Sequence, residues 1–402
     1  MKKPSSFLAK CEKGNIAIAT AIMMPLLVGG AGFGVETAYW FYQDSQLQQA
    51  SDKAVYTAAI EKRAGSTTQK ILSAATTTAT ENGYTPGTLV INYPPTMGAY
   101  AGNTTAIEAQ LTREIPRYFT SIFTTAPIID KARAVAIMQT SADACVLALS
   151  TTASRAVQVS GSAQLNLTGC TVMSNSIATD SVYVQGAAQM SADCIIAVGT
   201  VSLQTGSTTT TCAKPITNAP PASDPYASLP VPTSATNISN TNGAILQPGN
   251  YINGMNLSGT KILSPGVYIV SSGSFKINAN ANILGTGVTI YIAAGVSVSM
   301  NGNATVNLSA PTTGTYAGML FFGDRSGTAG VTFNGTAASK LTGSIYFANQ
   351  DIKYLGNFSG NGGCTRVVGK TIDWSGNTSI SQNCTAYGMA SIPALKIVKL
   401  VE

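Results

Sequence analysis

Histidine is absent from all 402 residues. That removes the side chain that most often serves as a general base near neutral pH, and with it the commonest metal ligand. Charge is scarce as well: Lys, Arg, Asp and Glu make up 10% of the chain, against an ordinary share of about 25%. Glycosidase chemistry needs two acidic groups facing one bond, and beyond residue 135 no two Asp or Glu residues lie close in sequence. The charged clusters there are Asp324 with Arg325, Asp351 with Lys353, and Arg366 with Lys370 and Asp373; they read as solvated charges at corners. The phosphate-cradling GxxxxGK[ST] and nucleophile-elbow GxSxG patterns are missing. No CxxC spacing occurs, so the cysteines do not read as metal ligands. We therefore assign no catalytic residue, no cofactor and no metal, and expect a protein that is not an enzyme.

The charge that exists is uneven. Residues 1–134 hold 21 of the 40 charged side chains, which implies two regions of different architecture. Of the net charge of +6, the first 13 residues supply +3 through Lys2, Lys3, Lys10 and Lys13 against Glu12. No basic stripe is left for nucleic acid.

After this basic tail (residues 1–14), the segment NIAIATAIMMPLLVGGAGFG at residues 15–34 carries no charge. At about 1.5 Å per residue its length matches a hydrocarbon core of about 30 Å, so residues 15–35 read as a transmembrane anchor. Lys10 and Lys13 flank it on one side and Glu36 and Trp40 on the other. The positive-inside rule then leaves the tail cytoplasmic and exports the rest. A cleaved secretory signal is the alternative, but its apolar core is usually only about 7 to 15 residues long. Tyr39, Trp40, Phe41 and Tyr42 fall where aromatic rings favour the headgroup zone.

Six of the seven cysteines (Cys145, Cys170, Cys194, Cys212, Cys364 and Cys384) lie on the exported side and only Cys11 on the other. An even exported set suits disulfides. Cys364 and Cys384, remote from the others, are expected to pair together, and the remaining four to pair sequentially.

Residues 36–64 contain no Gly or Pro and place Leu47, Ala50, Ala54 and Ala58 at helical spacing. They predict an extended helical stem that either packs on its own domain or meets partner helices. Residues 65–140 predict a small membrane-proximal α/β domain: helix at QKILSAATTTATENGY, strands at TLVINY and TAIEAQLT, helix at EIPRYFTSIF and strand at KARAVAIMQ. From about Cys145 the texture turns to short apolar runs broken by Gly and Asn. VQVSGSAQLNLTGC at 157–170 matches VYVQGAAQMSADC at 182–194, with Gly161 and Gly186 25 residues apart. Such a period suggests one coil of a β-solenoid.

A second series follows, with VYIV at 267, VTIYI at 288, GMLFF at 318, GSIYF at 343 and TRVVGKTIDW at 365. We read residues 141–212 as first solenoid coils and 243–402 as the main solenoid. The expected fold class is mainly β with an N-terminal helix, a parallel β-helix-like solenoid being favoured over a β-sandwich. Residues 213–242, with six prolines, cannot join a ladder. They predict an extended excursion or a flexible hinge.

Gly14 leading the apolar run, Glu36 at its exit and the block LQQASDKAVYTAA from Leu47 to Ala59 together resemble the N-terminal module of TadG-like Flp pilus-assembly proteins of Gram-negative bacteria. The likeness extends through EIPRYFTSIF, KARAVA and ACVLALS to DPYASLPVP. It implies an inner-membrane-anchored, single-pass accessory of the tight-adherence machinery, with its bulk in the periplasm or cell envelope and other pilus-assembly or secretion components as partners. The chain departs from the family twice. It lacks the DxSxS signature of von Willebrand A-type domains, so metal-dependent adhesion is not carried over. Position 19 is Ala where processed pilin-like members have Glu, so prepilin-peptidase cleavage is not implied. A surface adhesin that binds glycan or cell wall is the alternative function.

Overall fold

The computed structural model describes residues 12–84, 87–234, 236–336, 338–356, 358–381 and 388–402. The chain divides into two compact units, one of residues 1–139 with 397–402 and the other of residues 140–396.

The first unit is built on α1 (Glu12–Arg63), which at about 1.5 Å per residue is about 78 Å long. Its second half is amphipathic. Leu47, Ala50, Ala54, Val55, Ala58 and Ala59 are buried against Ile71, Ala75 and Ala79 of α2 (Thr68–Glu81) and against an antiparallel sheet. Here the helix packs on its own domain. Thr67 caps α2, its hydroxyl accepting the Lys70 N–H at 3.4 Å.

The sheet consists of β1 (Thr88–Asn92), β2 (Ala106–Ile115) and the first half of β3 (Ile128–Ala148), with Leu89 opposite Leu111 and Ala109 opposite Ala134. Alternation along β2 and β3 turns Ile107, Ala109, Leu111, Ala132, Ala134 and Ala136 toward the helices. The many alanines allow close helix–sheet approach. The predicted helix over EIPRYFTSIF does not form: Glu114 and Ile115 end β2, and only a 3-10 turn, Thr120–Ile122, follows. Pro116 holds the residue before it extended, and Ile122 and Phe123 are left exposed.

The second unit is a parallel β-solenoid of about ten turns, not a sandwich. Each turn contributes strands to stacked parallel columns. In one column Tyr251, Val270 and Ile292 follow one another, and further along Tyr346, Val368, Leu147 and Met173 do the same. In another, Met255, Phe275, Val298, Val331, Ile352, Ile372, Val157, Val182 and Val201 stack turn on turn.

The inward side chains form one core, which includes an aromatic ladder. Phe275, Phe321, Phe333, Tyr354 and Trp374 meet ring to ring at 5.3 to 5.7 Å between centroids. Gly161 and Gly186 occupy equivalent corners, with φ of 69° and 79°. Only glycine adopts that conformation readily, which explains their recurrence.

The turns do not follow chain order. The chain enters the stack in its interior: Val146 and Val157 lie beside Val367 and Ile372, residues from the other end of the unit's sequence. From there residues 144–212 build outward in one direction. Residues 237–381 begin at the far end, Ile238 beside Tyr251, and build back until they close on the entry turn. The two repeat series thus belong to a single continuous stack.

The proline-rich segment joins the two ends. Ile216 lies beside Ile196, Ala222 exchanges hydrogen bonds with the Asn175 amide at 2.8 Å each way, and the Tyr226 hydroxyl meets that of Ser344. Further on, the Pro230 carbonyl accepts from the Tyr316 hydroxyl at 3.2 Å. Up to about residue 234 the segment is an extended strap along the outside of the stack; contrary to the expectation for residues 213–242, Asn237 and Ile238, beyond its last proline, do join a ladder, beside Asn250 and Tyr251. The strap covers a second apolar cluster in which Ala219, Ala222 and Tyr226 pack with Met173, Phe322, Tyr346 and Val368.

Candidate functional site

The first half of α1 contains one stretch long and apolar enough to cross a membrane. Ile22, Met23, Leu26, Leu27, Phe33 and Val35 are all exposed, so among the described residues nothing covers these side chains. It is a candidate membrane anchor. Lys13 lies within α1, whereas Lys10 and Cys11 fall outside the described residues.

At the end of the apolar stretch the polypeptide loops back onto the helix. Glu36, 3% exposed, points its carboxylate at the turn after β2. One oxygen accepts the Tyr118 N–H at 2.5 Å and the other the Thr120 N–H at 2.7 Å. One turn lower, Gly32 leaves room for the Phe119 ring: a Cβ there would sit 2.0 Å from a ring carbon. Tyr39 packs edge-on against Tyr118 at 5.5 Å. Trp40 lies under the Arg117 guanidinium, 5.5 Å from the ring centroid. The same guanidinium donates to the Ala126 carbonyl at 2.8 Å and to the Thr120 hydroxyl at 3.3 Å. Glu36 and Trp40, the expected outer flank of the anchor, are thus brought together around one loop.

Beyond the anchor, a second buried carboxylate organises the same unit. Glu108 accepts hydrogen bonds from Asn92 (2.9 Å), the backbone (3.2 Å) and hydroxyl (2.9 Å) of Thr96, Gln110 (2.9 Å) and Arg133 (2.5 Å). Burial alone would raise its pKa, but the Asn92, Arg133 and Thr96 donors outweigh that effect and hold it down to about 2. Arg133 extends the network to the Glu402 side chain.

In the solenoid, the Cys145–Cys170 pair is bridged, with Cα atoms 5.5 Å apart, and so is Cys194–Cys212, at 5.3 Å. These are the sequential pairs expected. Cys364 is buried, and Cys384 lies outside the described residues.

The charged clusters noted in the sequence are not brought into one cleft. Asp324 accepts from the Tyr291 hydroxyl and from the backbone and hydroxyl of Ser326. Arg325 reaches the strap, donating to the Tyr226 and Leu229 carbonyls and to the Tyr346 hydroxyl. The Tyr346 hydroxyl donates in turn to Asp224 at 2.7 Å. Asp351 accepts from Thr371 at 2.6 Å. Arg366 is buried and donates to the Ala390 carbonyl. Burial raises the pKa of Asp373, opposed by Lys353 opposite it on the neighbouring turn. Among the described residues no group of His, Cys, Asp or Glu is placed to hold a metal ion.

Sequence reasoning found Glu36 as the charge that ends the apolar run but not what it binds. The signal available was Pro116 shortly before an uncharged apolar stretch.

The chain has no significant match among curated proteins or among solved structures. A family model does match it, the one described as putative Flp pilus-assembly TadE/G-like, over residues 14–61. That span takes in the apolar stretch of α1 and most of its amphipathic continuation, so the similarity of this chain to TadE/G-like Flp pilus-assembly proteins lies in its N-terminal helix.

Proposed function

We propose that this chain is a structural accessory of Flp pilus assembly, held in the inner membrane by the first half of α1. Its N-terminus is cytoplasmic, its solenoid stands in the periplasm or cell envelope, and it performs no catalysis. The observation that carries this reading is where the family match falls. The TadE/G-like segment is both the exposed apolar helix and the helix around which the first unit packs. Lysines ahead of the apolar run and bridged cysteines after it support the orientation. The solenoid offers a long surface to other assembly or secretion components. The glycan-binding alternative draws little support. Its aromatic ladder points inward, and among the described residues the large exposed apolar side chains of the solenoid unit, such as Ile177, Ile245 and Ile262, are aliphatic.

The test is deletion of the gene in its own host, complemented by the wild-type chain, with pili scored by electron microscopy alongside attachment. Loss of both, restored by the gene, is expected. Intact pili with lost attachment would move the protein to adhesion, and unchanged pili and attachment would overturn the assembly reading.

A further inference from the structure

The loop that Glu36 holds against α1 is itself apolar and uncovered. Residues 118–129, YFTSIFTTAPII, carry no charge and lie between Arg117 and Asp130. Asp130 is fixed at the base of the loop by its buried ion pair with Arg113 at 3.2 Å. At the tip, Ile122 is 82% and Phe123 87% exposed, more than the large apolar side chains of the anchor from Ile22 to Val35, of which Leu26 and Val35 reach 71%. Exposed apolar side chains scattered singly are ordinary; these two are not single, since Phe119, Ile122 and Phe123 share one uncharged loop and the exposed Ile129 opens β3 where the loop ends.

The height of that loop along α1 is set by contacts already described. Phe119 lies at Gly32, inside the apolar run, and Glu36 binds the backbone on either side of Phe119. A loop fixed there is bathed by whatever bathes the helix. The ring of Tyr39, Trp40 and Tyr118 with Arg117 above it has the composition of a membrane interface, rings at headgroup level and a cation able to reach upward.

We propose that residues 118–129 form a second membrane contact, their tip immersed in the outer leaflet of the same bilayer that α1 spans. This loop makes the first unit a two-point attachment, which limits its tilt and rotation about the helix. The occupant of the patch is lipid, because the patch continues the helix surface that lipid must cover. The proposal rests on reading α1 as the anchor.

The test uses the full chain in vesicles of phosphatidylethanolamine and phosphatidylglycerol, with and without acyl-chain bromination, and takes differences from wild type to remove Trp40 and Trp374. Phe123→Trp and Ile122→Trp report on the tip, Leu26→Trp on the anchor, and Met97→Trp on an exposed loop of the same unit. Tip tryptophans should lose emission to brominated lipid, as the anchor tryptophan does, and be shielded from aqueous iodide, unlike residue 97. Tip residues that behave like residue 97 while residue 26 is quenched would overturn the loop contact and leave the anchor standing. Absence of quenching at residue 26 would overturn both.

Discussion

The two oxygens of Glu36 divide their work between the backbone N–H groups of Tyr118 and Thr120, so one carboxylate at the end of an apolar helix organises a loop more than eighty residues later. Replacing it with alanine leaves two inward-pointing donors without an acceptor. Glu36→Ala should speed hydrogen exchange at Tyr118 and Thr120 while amides of β2 and β3 keep their protection. Glu36→Gln, which retains one acceptor oxygen, should fall between the two. Unchanged exchange at both amides would show that the carboxylate does not hold the loop.

The first unit should lose stability in acid through Glu108. Its folded pKa, about 2, lies below the ordinary glutamate value of about 4.3. The folded state therefore binds the proton less readily than the unfolded chain. The stabilisation is complete above the ordinary value and drains away as pH falls through about 4 toward 2. Glu108→Gln should melt lower than wild type at neutral pH and show a flatter dependence of melting temperature on pH below about 5. Parallel curves for the two proteins would contradict this assignment.

Bridging Cys145 to Cys170 closes a separation of 25 residues, which corresponds to roughly 3.5 kcal/mol of stabilisation. The double variant Cys145→Ala with Cys170→Ala should lower the denaturant midpoint accordingly, without changing β content by circular dichroism. Non-reducing peptide mapping of the wild-type protein should recover the 145–170 and 194–212 pairs. Free thiols at those positions would refute the pairing.

Arg325 holds the strap by two of its carbonyls, those of Tyr226 and Leu229. Arg325→Leu removes the donor and keeps apolar bulk, leaving those carbonyls to seek water. At about 1–3 kcal/mol for buried acceptors left unpaired, the strap should open more often. Limited chymotrypsin digestion should then cut after Tyr226 sooner than in wild type, while the stacked strands resist. Equal cleavage rates would mean that apolar packing alone retains the segment.

Much of this architecture was legible because local chemistry imposes it. The glycines at 161 and 186 mark corners that need a positive φ, and Leu47, Ala50, Ala54 and Ala58 marked the packed face of α1. The order of the turns was not legible. Every turn presents the same alternating, β-branched edge to its neighbours, so Val157 could as well have stacked on a turn close in sequence as on Ile372. Consecutive elements usually lie side by side, and only the prolines of the strap hinted at an exception. The segment around Phe119 and Ile122 misled for a different reason. Its apolar residues predict a helix, yet among the described residues nothing covers Ile122 and Phe123, and periodicity cannot distinguish a face that seeks a core from one that seeks another solvent.

The entry of the chain into the interior of its solenoid has a consequence for how the protein can be made. A stack laid down in chain order needs only its newest edge protected, and each finished turn shields the one before. Here the edge of the first turn, at Val146 and Val157, stays open until residues near 367–374 have been made and folded, because those residues are its neighbours. For most of its synthesis the chain therefore carries open strand edges facing a gap that only its last turns can fill. A product cut short before residue 367 would be left as two unfinished stacks, each with a bare parallel edge of the kind that recruits further strands. Completion of the chain, and not its length alone, is what closes the stack.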